Sequence, residues 1–403
     1  MKWVWLPALF FLFAGIVSGC KEEVAPEPTQ IPIPKELAQK TEPEPQAGHL
    51  EMFVQRHSLK VAKRPFGIAL SPDGSRAYVA AALLGQIAVI EVGDLEMAER
   101  WGPFGEHLFS VIPSSDGKML FAFGMGAQHL FAIDTETGRL VEKMFLGRNI
   151  SDVIAGGSDT LLVASTQDRK VTIINQRDLS IVGEINFGHP IGYIAIGKRG
   201  DIACATGGVY ANIKGISKAL GGPVSFFDPT KGGEAKEADV LLVGAHTRKP
   251  VFVENDRYLL VPDRLDHTVR VFDVEEMRLV KIMDVGAGAE KILVHPNKSL
   301  AYTIDTLGRS VTVLRLRPFE MVRQISLPAS PEDGIISTDG KYLYLTLPAL
   351  AKVNNRIAVI DLEENTLVDL IPTGQDPCRM AITKDGKTLL VTNFLGNSVS
   401  IIR

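Results

Sequence analysis

A closed, all-β propeller is the fold class this 403-residue sequence predicts, and three observations carry the prediction. A turn written Asp-Gly, or a close variant of it, recurs between apolar runs. The third strand of each unit alternates at period two, in runs such as Val269-Arg270-Val271-Phe272-Asp273, as partly buried antiparallel strands require. The whole pattern then repeats at a mean spacing of about 44 residues, the length of one four-stranded blade.

In chain order, the first element is a leader. Lys2 supplies a positive start, and Trp3 to Val17 is almost uninterrupted apolar sequence, too short for a membrane span and typical of a secretory signal. Val17-Ser18-Gly19-Cys20 follows directly and resembles the lipobox of bacterial lipoproteins, in which the cysteine is acylated and becomes the mature N-terminus. Two or three acyl chains on Cys20 would anchor the chain stably, whereas one chain gives marginal binding. Lys21 stands where an aspartate would favour the inner membrane, so the resemblance implies an outer-membrane anchor facing the periplasm. Residues 20–48 are rich in proline and glutamate (Glu22, Glu23, Pro26, Glu27, Pro28, Pro32, Pro34, Glu42 to Pro45) and read as a solvated tether with no core of its own. The expected organisation is a signal peptide over 1–19, a lipidated tether over 20–48 and the propeller over 49–403.

The first repeat unit runs Pro65 to Leu70, turns at Ser71-Pro72-Asp73-Gly74, continues Arg76 to Ala81, loops at Leu84-Gly85, resumes Ile87 to Glu91 and ends Leu95 to Ala98. These four strands are called A to D. The same grammar returns at Ser115-Asp116-Gly117, Lys198-Arg199-Gly200, Glu254-Asn255-Asp256, His295-Pro296-Asn297, Thr338-Asp339-Gly340 and Lys384-Asp385-Gly386. Asp and Gly suit these hairpins because they accept positive φ. Eight units begin near residues 64, 103, 148, 189, 245, 287, 330 and 375. If the irregular stretch 189–244 is one disrupted blade that pairs differently, the count falls to seven. The last unit ends after three strands at Val399 to Arg403, and the segment from Leu50 to Val61 is expected to supply its outer strand, closing the ring without an open edge.

Composition excludes several functions. A formal net charge of −4 offers no clustered positive surface for nucleic acid. Of the three cysteines, Cys20 is the lipid site, and Cys204 and Cys378 fall four blades apart, too far to bridge. There is no Cys-x-x-Cys-His for covalent haem, no zinc spacing and no Gly-x-Ser-x-Gly elbow. Asp385-Gly386-Lys387-Thr388 lacks the upstream glycine of a phosphate loop.

Segments such as Pro65-Phe66-Gly67-Ile68-Ala69-Leu70-Ser71-Pro72-Asp73-Gly74 followed by Ala77-Tyr78-Val79-Ala80, and Lys387 to Asn393, resemble the YVTN family of propeller repeats. That family is similar to the propellers of nitrite reductase, of haem-maturation proteins and of certain lactonases. The resemblance implies a fold and leaves function open, because the matching residues are strand and turn grammar.

In such a propeller the D-to-A and B-to-C connections share one face, the mouth of the central channel. Aligning them gathers Arg64, Glu106, His107, Arg148, His189, His246, Arg248, Glu290, Glu332, Asp376 and Arg379 into a ring of mixed charge, the candidate ligand site. His129 and His267 lie in B-to-C loops of the same face, and His295 belongs to the opposite one. The one large departure from the repeat, Gly207 to Gly222, is expected to form a lid carrying Tyr210, Ile213, Ile216 and Leu220. The leading functional expectation is a non-catalytic, monomeric envelope platform that binds another protein or a small-molecule ligand. The alternative is a cofactor-handling or enzymatic propeller. In one version His107, His189 or His246 ligates a non-covalent tetrapyrrole whose carboxylates pair with Arg148 and Arg248; in the other, Glu290, Glu332 and Asp376 hold a divalent metal for lactone hydrolysis.

Overall fold

The computed structural model describes residues 56–124, 126–157, 159–207, 209–213, 216–231, 233–234, 236–237, 244, 246–349 and 355–403, and only the backbone of 209–221 and 233–237. All of them belong to one compact unit, Glu44–Arg403. The leader, Cys20, the tether and Leu50 to Val54 lie outside the described residues.

Eight antiparallel, four-stranded blades form a propeller. Blade 1 is Pro65–Leu70, Arg76–Ala81, Gln86–Glu91 and Glu96–Trp101, as the repeat grammar predicts. In blade 8 the chain supplies Pro377–Ile382, Leu389–Asn393 and Ser398–Ile402, and the fourth strand is Arg56–Lys60 from the other end of the chain. Its register runs from Arg56 opposite Ile402 to Lys60 opposite Ser398. The expected closure is therefore present, and it removes the open edge of blade 8.

Strands B and C are buried on both faces, which is why they read as runs such as Leu161-Leu162-Val163-Ala164, whereas the outer strand Leu140–Phe145 buries only Met144. Eight apolar clusters fill the interfaces between neighbouring blades. One of them joins Leu390, Val399 and Ile401 of blade 8 to Ala77, Val79 and Ala88 of blade 1, so the ring is sealed by the same packing that holds its other joints. Burial of this kind contributes roughly 25 cal/mol per Å² of apolar surface.

The Asp-Gly turns explain their own sequence. Ser71 Oγ donates to Asp73 Oδ1 at 2.5 Å, the Arg76 amide donates back to Ser71 Oγ at 2.9 Å, and Gly74 takes a φ of 77°. Ser114 with Asp116, Ser337 with Asp339 and Thr383 with Asp385 repeat the hydroxyl-to-carboxylate bond.

Blade 4 is the irregular one: Tyr193–Ile196, Ala203–Thr206 and Val224–Phe227, with an outer strand of two residues, Lys236–Glu237. It remains a blade of its own, so the count is eight. The expected lid is a separate β-hairpin, Val209–Ile213 paired with Ile216–Gly221, rising from the B-to-C connection of this blade. The side chains of Tyr210, Ile213, Ile216 and Leu220 lie outside the description.

Candidate functional site at the channel mouth

The two kinds of connection meet at one end of the ring. The Ala82 amide, in a B-to-C loop, donates to the Arg64 carbonyl at 3.0 Å, and the Phe394 amide donates to the Asp376 carbonyl at 2.8 Å. The candidate residues accordingly share the mouth face, where they divide into groups.

On blades 4 to 6, Arg248 Nε lies 2.8 Å from Glu290 Oε1, Arg264 Nε approaches Glu290 Oε2 at 3.5 Å, and the Arg248 guanidinium stands 5.9 Å from the Tyr193 ring centroid. Arg248 is only 6% exposed, so this charge is held inside the wall and kept ionised by Tyr193 and Glu290 against the cost of burial. Burial and the Arg248 charge hold His246 below the usual histidine range, and the imidazole is neutral at neutral pH. Lys249 reaches across blade 4 to Asp152 of blade 3 at 3.0 Å.

On blades 6 to 8, Lys291 pairs with Asp333 at 2.7 Å and Arg379 with Glu332 at 3.2 Å. Asp376 follows a different pattern. Burial and the Glu332 charge push its carboxyl up to about 6, and no neighbouring side chain holds it by a hydrogen bond among the described contacts. Burial likewise pushes up the thiols of Cys204 and Cys378, both free.

The remaining candidates stand apart. Arg148 pairs with Asp168 of its own blade at 2.9 Å. His189 is turned inward: Nδ1 donates to the Pro190 carbonyl at 2.9 Å, Nε2 accepts from Ser225 Oγ at 2.8 Å, and the residue is 4% exposed. His129 binds Glu106 at 2.8 Å, and His267 Nδ1 accepts the Gly288 amide at 3.0 Å. On the opposite face, His295 clips two blades together through the Gly340 carbonyl at 2.9 Å. Among the described histidines only His107 combines an exposed position with one engaged nitrogen, Nδ1 donating to the Ala82 carbonyl at 2.7 Å.

Beside His107 lies a cluster that sequence reasoning did not single out. The Phe66 ring meets Phe109 at 5.4 Å and Phe394 at 6.0 Å, both edge to face. The Arg379 guanidinium sits 4.6 Å from the Phe66 centroid and that of Arg64 5.3 Å from Phe394. All three rings are half-buried. Gly67 makes the first contact possible, because a Cβ there would collide with the Phe109 carbonyl. A readable signal was the string Arg64-Pro65-Phe66-Gly67, an aromatic between a cation and a glycine at the start of an inner strand.

The metal-holding arrangement does not fit. Glu290 and Glu332 are engaged by arginines, and among the described residues no three of His, Cys, Asp and Glu gather closely enough to hold an ion. A tetrapyrrole fits in one respect: a backbone-oriented Nδ1–H leaves Nε2 of His107 as the atom that would hold its metal. His189 has no free nitrogen for that purpose.

Comparison with known proteins agrees with the fold. The family described as Lactonase, 7-bladed beta-propeller matches residues 242–403, the part of the chain holding blades 5 to 8. A 6-phosphogluconolactonase of Photorhabdus laumondii subsp. laumondii is 27% identical over 162 residues, 36% of this chain; the chain spans about half (49%) of that relative's length. Among solved structures, the Kuenenia stuttgartiensis hydrazine synthase superposes with a TM-score of 0.56 at 16% identity, covering 88% of this chain and 99% of that one. The dihydro-heme d1 dehydrogenase NirN, solved in complex with DHE, superposes with a TM-score of 0.63 at 14% identity, covering 77% and 67%. At such identities the two structures attest the propeller, and this chain builds it with eight blades.

Proposed function

We propose that the chain is a lipid-anchored envelope propeller whose channel mouth binds a small-molecule ligand or a partner protein without chemical change. The observation that carries the reading is the unfinished pairing of the mouth. Around most of the ring, charge meets charge between blades, but on blades 8, 1 and 2 an unpartnered carboxyl (Asp376), an exposed imidazole (His107) and three half-buried phenylalanines stand together. Convergent polar groups around an apolar floor are the usual make-up of a ligand site. The hairpin of blade 4 leaves from a B-to-C connection, the kind of connection that lines the mouth, and would serve as its lid.

Native mass spectrometry of the protein purified from its own host tests this. A bound mass should be lost from an Asp376→Asn, Arg379→Gln variant and retained by an Asp116→Asn, Asp339→Asn variant of the hairpin face. The reverse pattern overturns the reading.

A second reading, cofactor handling, is favoured by the free Nε2 of His107 and by the likeness to NirN, whose solved complex contains DHE. In that case His107 would hold the iron of a tetrapyrrole, and the group would supply redox chemistry. A Soret band in the purified protein that disappears in His107→Ala supports it; a colourless protein contradicts it.

A further inference from the structure

We propose that the wall of the mouth formed by blades 8, 1 and 2 is a subsite for a small apolar anion, an acidic group carried on a ring system, with the ring seated on Phe66, Phe109 and Phe394 and the charge met by Arg64. The inference rests on the mouth-binding reading and adds the chemical class of the ligand.

The cluster contains two guanidiniums in different states. Arg379 is spent on Glu332 at 3.2 Å. Arg64 stands over Phe394, and among the described residues no carboxylate lies within ion-pair distance of it. Its backbone is pinned on both sides, the amide donating to Asn397 Oδ1 at 2.9 Å and the carbonyl accepting from Ala82 at 3.0 Å, with φ at 54°. A pinned main chain in this left-handed conformation fixes where the side chain starts, and the guanidinium rests 5.3 Å from the Phe394 centroid. The Ala82 peptide that holds Arg64 through its amide holds His107 through its carbonyl, at 2.7 Å. Arg64 and His107 are thus set side by side at the edge of the aromatic floor.

Ligand chemistry follows from these parts. A cation would meet like charge, since guanidiniums already stand over Phe66 and Phe394. An uncharged ring would gain the aromatic contacts but leave Arg64 without a counter-ion. An anion on a ring system satisfies both, because a planar guanidinium pairs with carboxylate, sulfonate or phosphate through two parallel hydrogen bonds. Asp376, whose carbonyl accepts from the Phe394 amide, borders the floor and disfavours an anionic group on its own side, leaving the Arg64 end for it.

Fluorescence titration of the mature protein with anilinonaphthalene sulfonate, alongside its uncharged counterpart N-phenyl-1-naphthylamine, tests the assignment. The folded protein should bind the sulfonate saturably. Arg64→Gln should weaken the sulfonate about tenfold and leave the uncharged amine within about twofold. Arg64→Lys, which keeps the charge and loses the two-bond geometry, should fall between the wild type and Arg64→Gln for the sulfonate, and Phe394→Leu should weaken both probes. Thermal melts of each variant report whether it is folded. An unchanged sulfonate affinity in Arg64→Gln, or no saturable binding to the wild type, overturns the subsite. Loss on Arg248→Gln but not on Arg64→Gln overturns the subsite and leaves mouth binding standing. Loss confined to the hairpin-face variant Arg76→Gln overturns both.

Discussion

The hairpin face and the mouth face of this propeller use the same residue types to different ends. On the hairpin face, carboxylates are consumed by their own turns. Asp73 accepts from the Ser71 and Ser75 hydroxyls, and those bonds hold its pKa down at about 2; Asp116 and Asp385 are lowered in the same way, and Asp339 by the Ser337 and Lys341 bonds against some burial. A groove of about 530 Å³ between blades 1 and 2 opens on this face, yet its Asp73 and Asp116 serve the turns and its Arg76 binds Glu91 at 2.8 Å. At the mouth the acids divide: burial is outweighed by Lys291 and Arg379 at Asp333 and by Lys143 and His129 at Glu106, which are held low, whereas burial raises Asp376 to about 6 and Asp305, beneath the blade 6 loop, also to about 6. A turn repeated for architecture satisfies its own polar groups, and the end that does not is where a ligand has something to gain.

The largest expected effect concerns the ring that both faces share. Removing residues 21–45 should leave the melting temperature unchanged, whereas removing residues through Val61 deletes Arg56–Lys60, opens the edge of Ser398–Ile402 and should drive aggregation. Equal melting temperatures for the two truncations would contradict closure by that strand.

Opposite pH dependences come next. Lowered pKa values on the hairpin face contribute stability that is present above about pH 4 and lost as pH falls towards 2. Asp305 behaves in the reverse sense: its folded pKa is raised from 3.8 to about 6 by burial, so its contribution is full below pH 3.8 and is lost as pH rises through 6. The loss is at most about 3 kcal/mol at 1.36 kcal/mol per pKa unit, since Thr303, Ser310 and Thr312 hydroxyls partly satisfy the ionised form. Chemical denaturation at pH 4, 5 and 7 should show stability falling across that range, and Asp305→Asn should flatten the fall. An unchanged slope in the variant would place the titration elsewhere.

A smaller effect is expected from the blade core that separates the faces. The Tyr302 hydroxyl is buried and has no hydrogen-bond partner among the described residues. Tyr302→Phe should therefore be neutral or stabilising by up to about 1 kcal/mol, and a clear destabilisation would reveal a partner for the hydroxyl.

The sequence made the repeat legible because the blades announce themselves locally, with Ser-x-Asp-Gly turns in blades 1, 2 and 7, variants of that turn in most of the others, and apolar B and C strands. Closure by the N-terminal segment could be read too, since a three-stranded last unit requires a donor. Pairing at the mouth was not legible in the same way. Lys249 meets Asp152 from 97 positions away, and Arg379 meets Glu332 across 47, distances set by how blades stack rather than by any local pattern. Sequence alignment put His189 in the ring, but only packing decides that its imidazole turns inward to Ser225. Phe66, Phe109 and Phe394 come from an inner strand, the residue before one and a B-to-C loop, and only the packing of blades 8, 1 and 2 brings their rings together.

The most direct test of the claim that the mouth is the working face is amide hydrogen exchange, measured on protein isolated from its host and again after any bound molecule has been stripped. The account predicts that stripping speeds exchange in the connections around Arg64, His107, Asp376 and Phe394 and leaves the turns at Asp73, Asp116, Asp339 and Asp385 unchanged. Faster exchange confined to those four turns would contradict it.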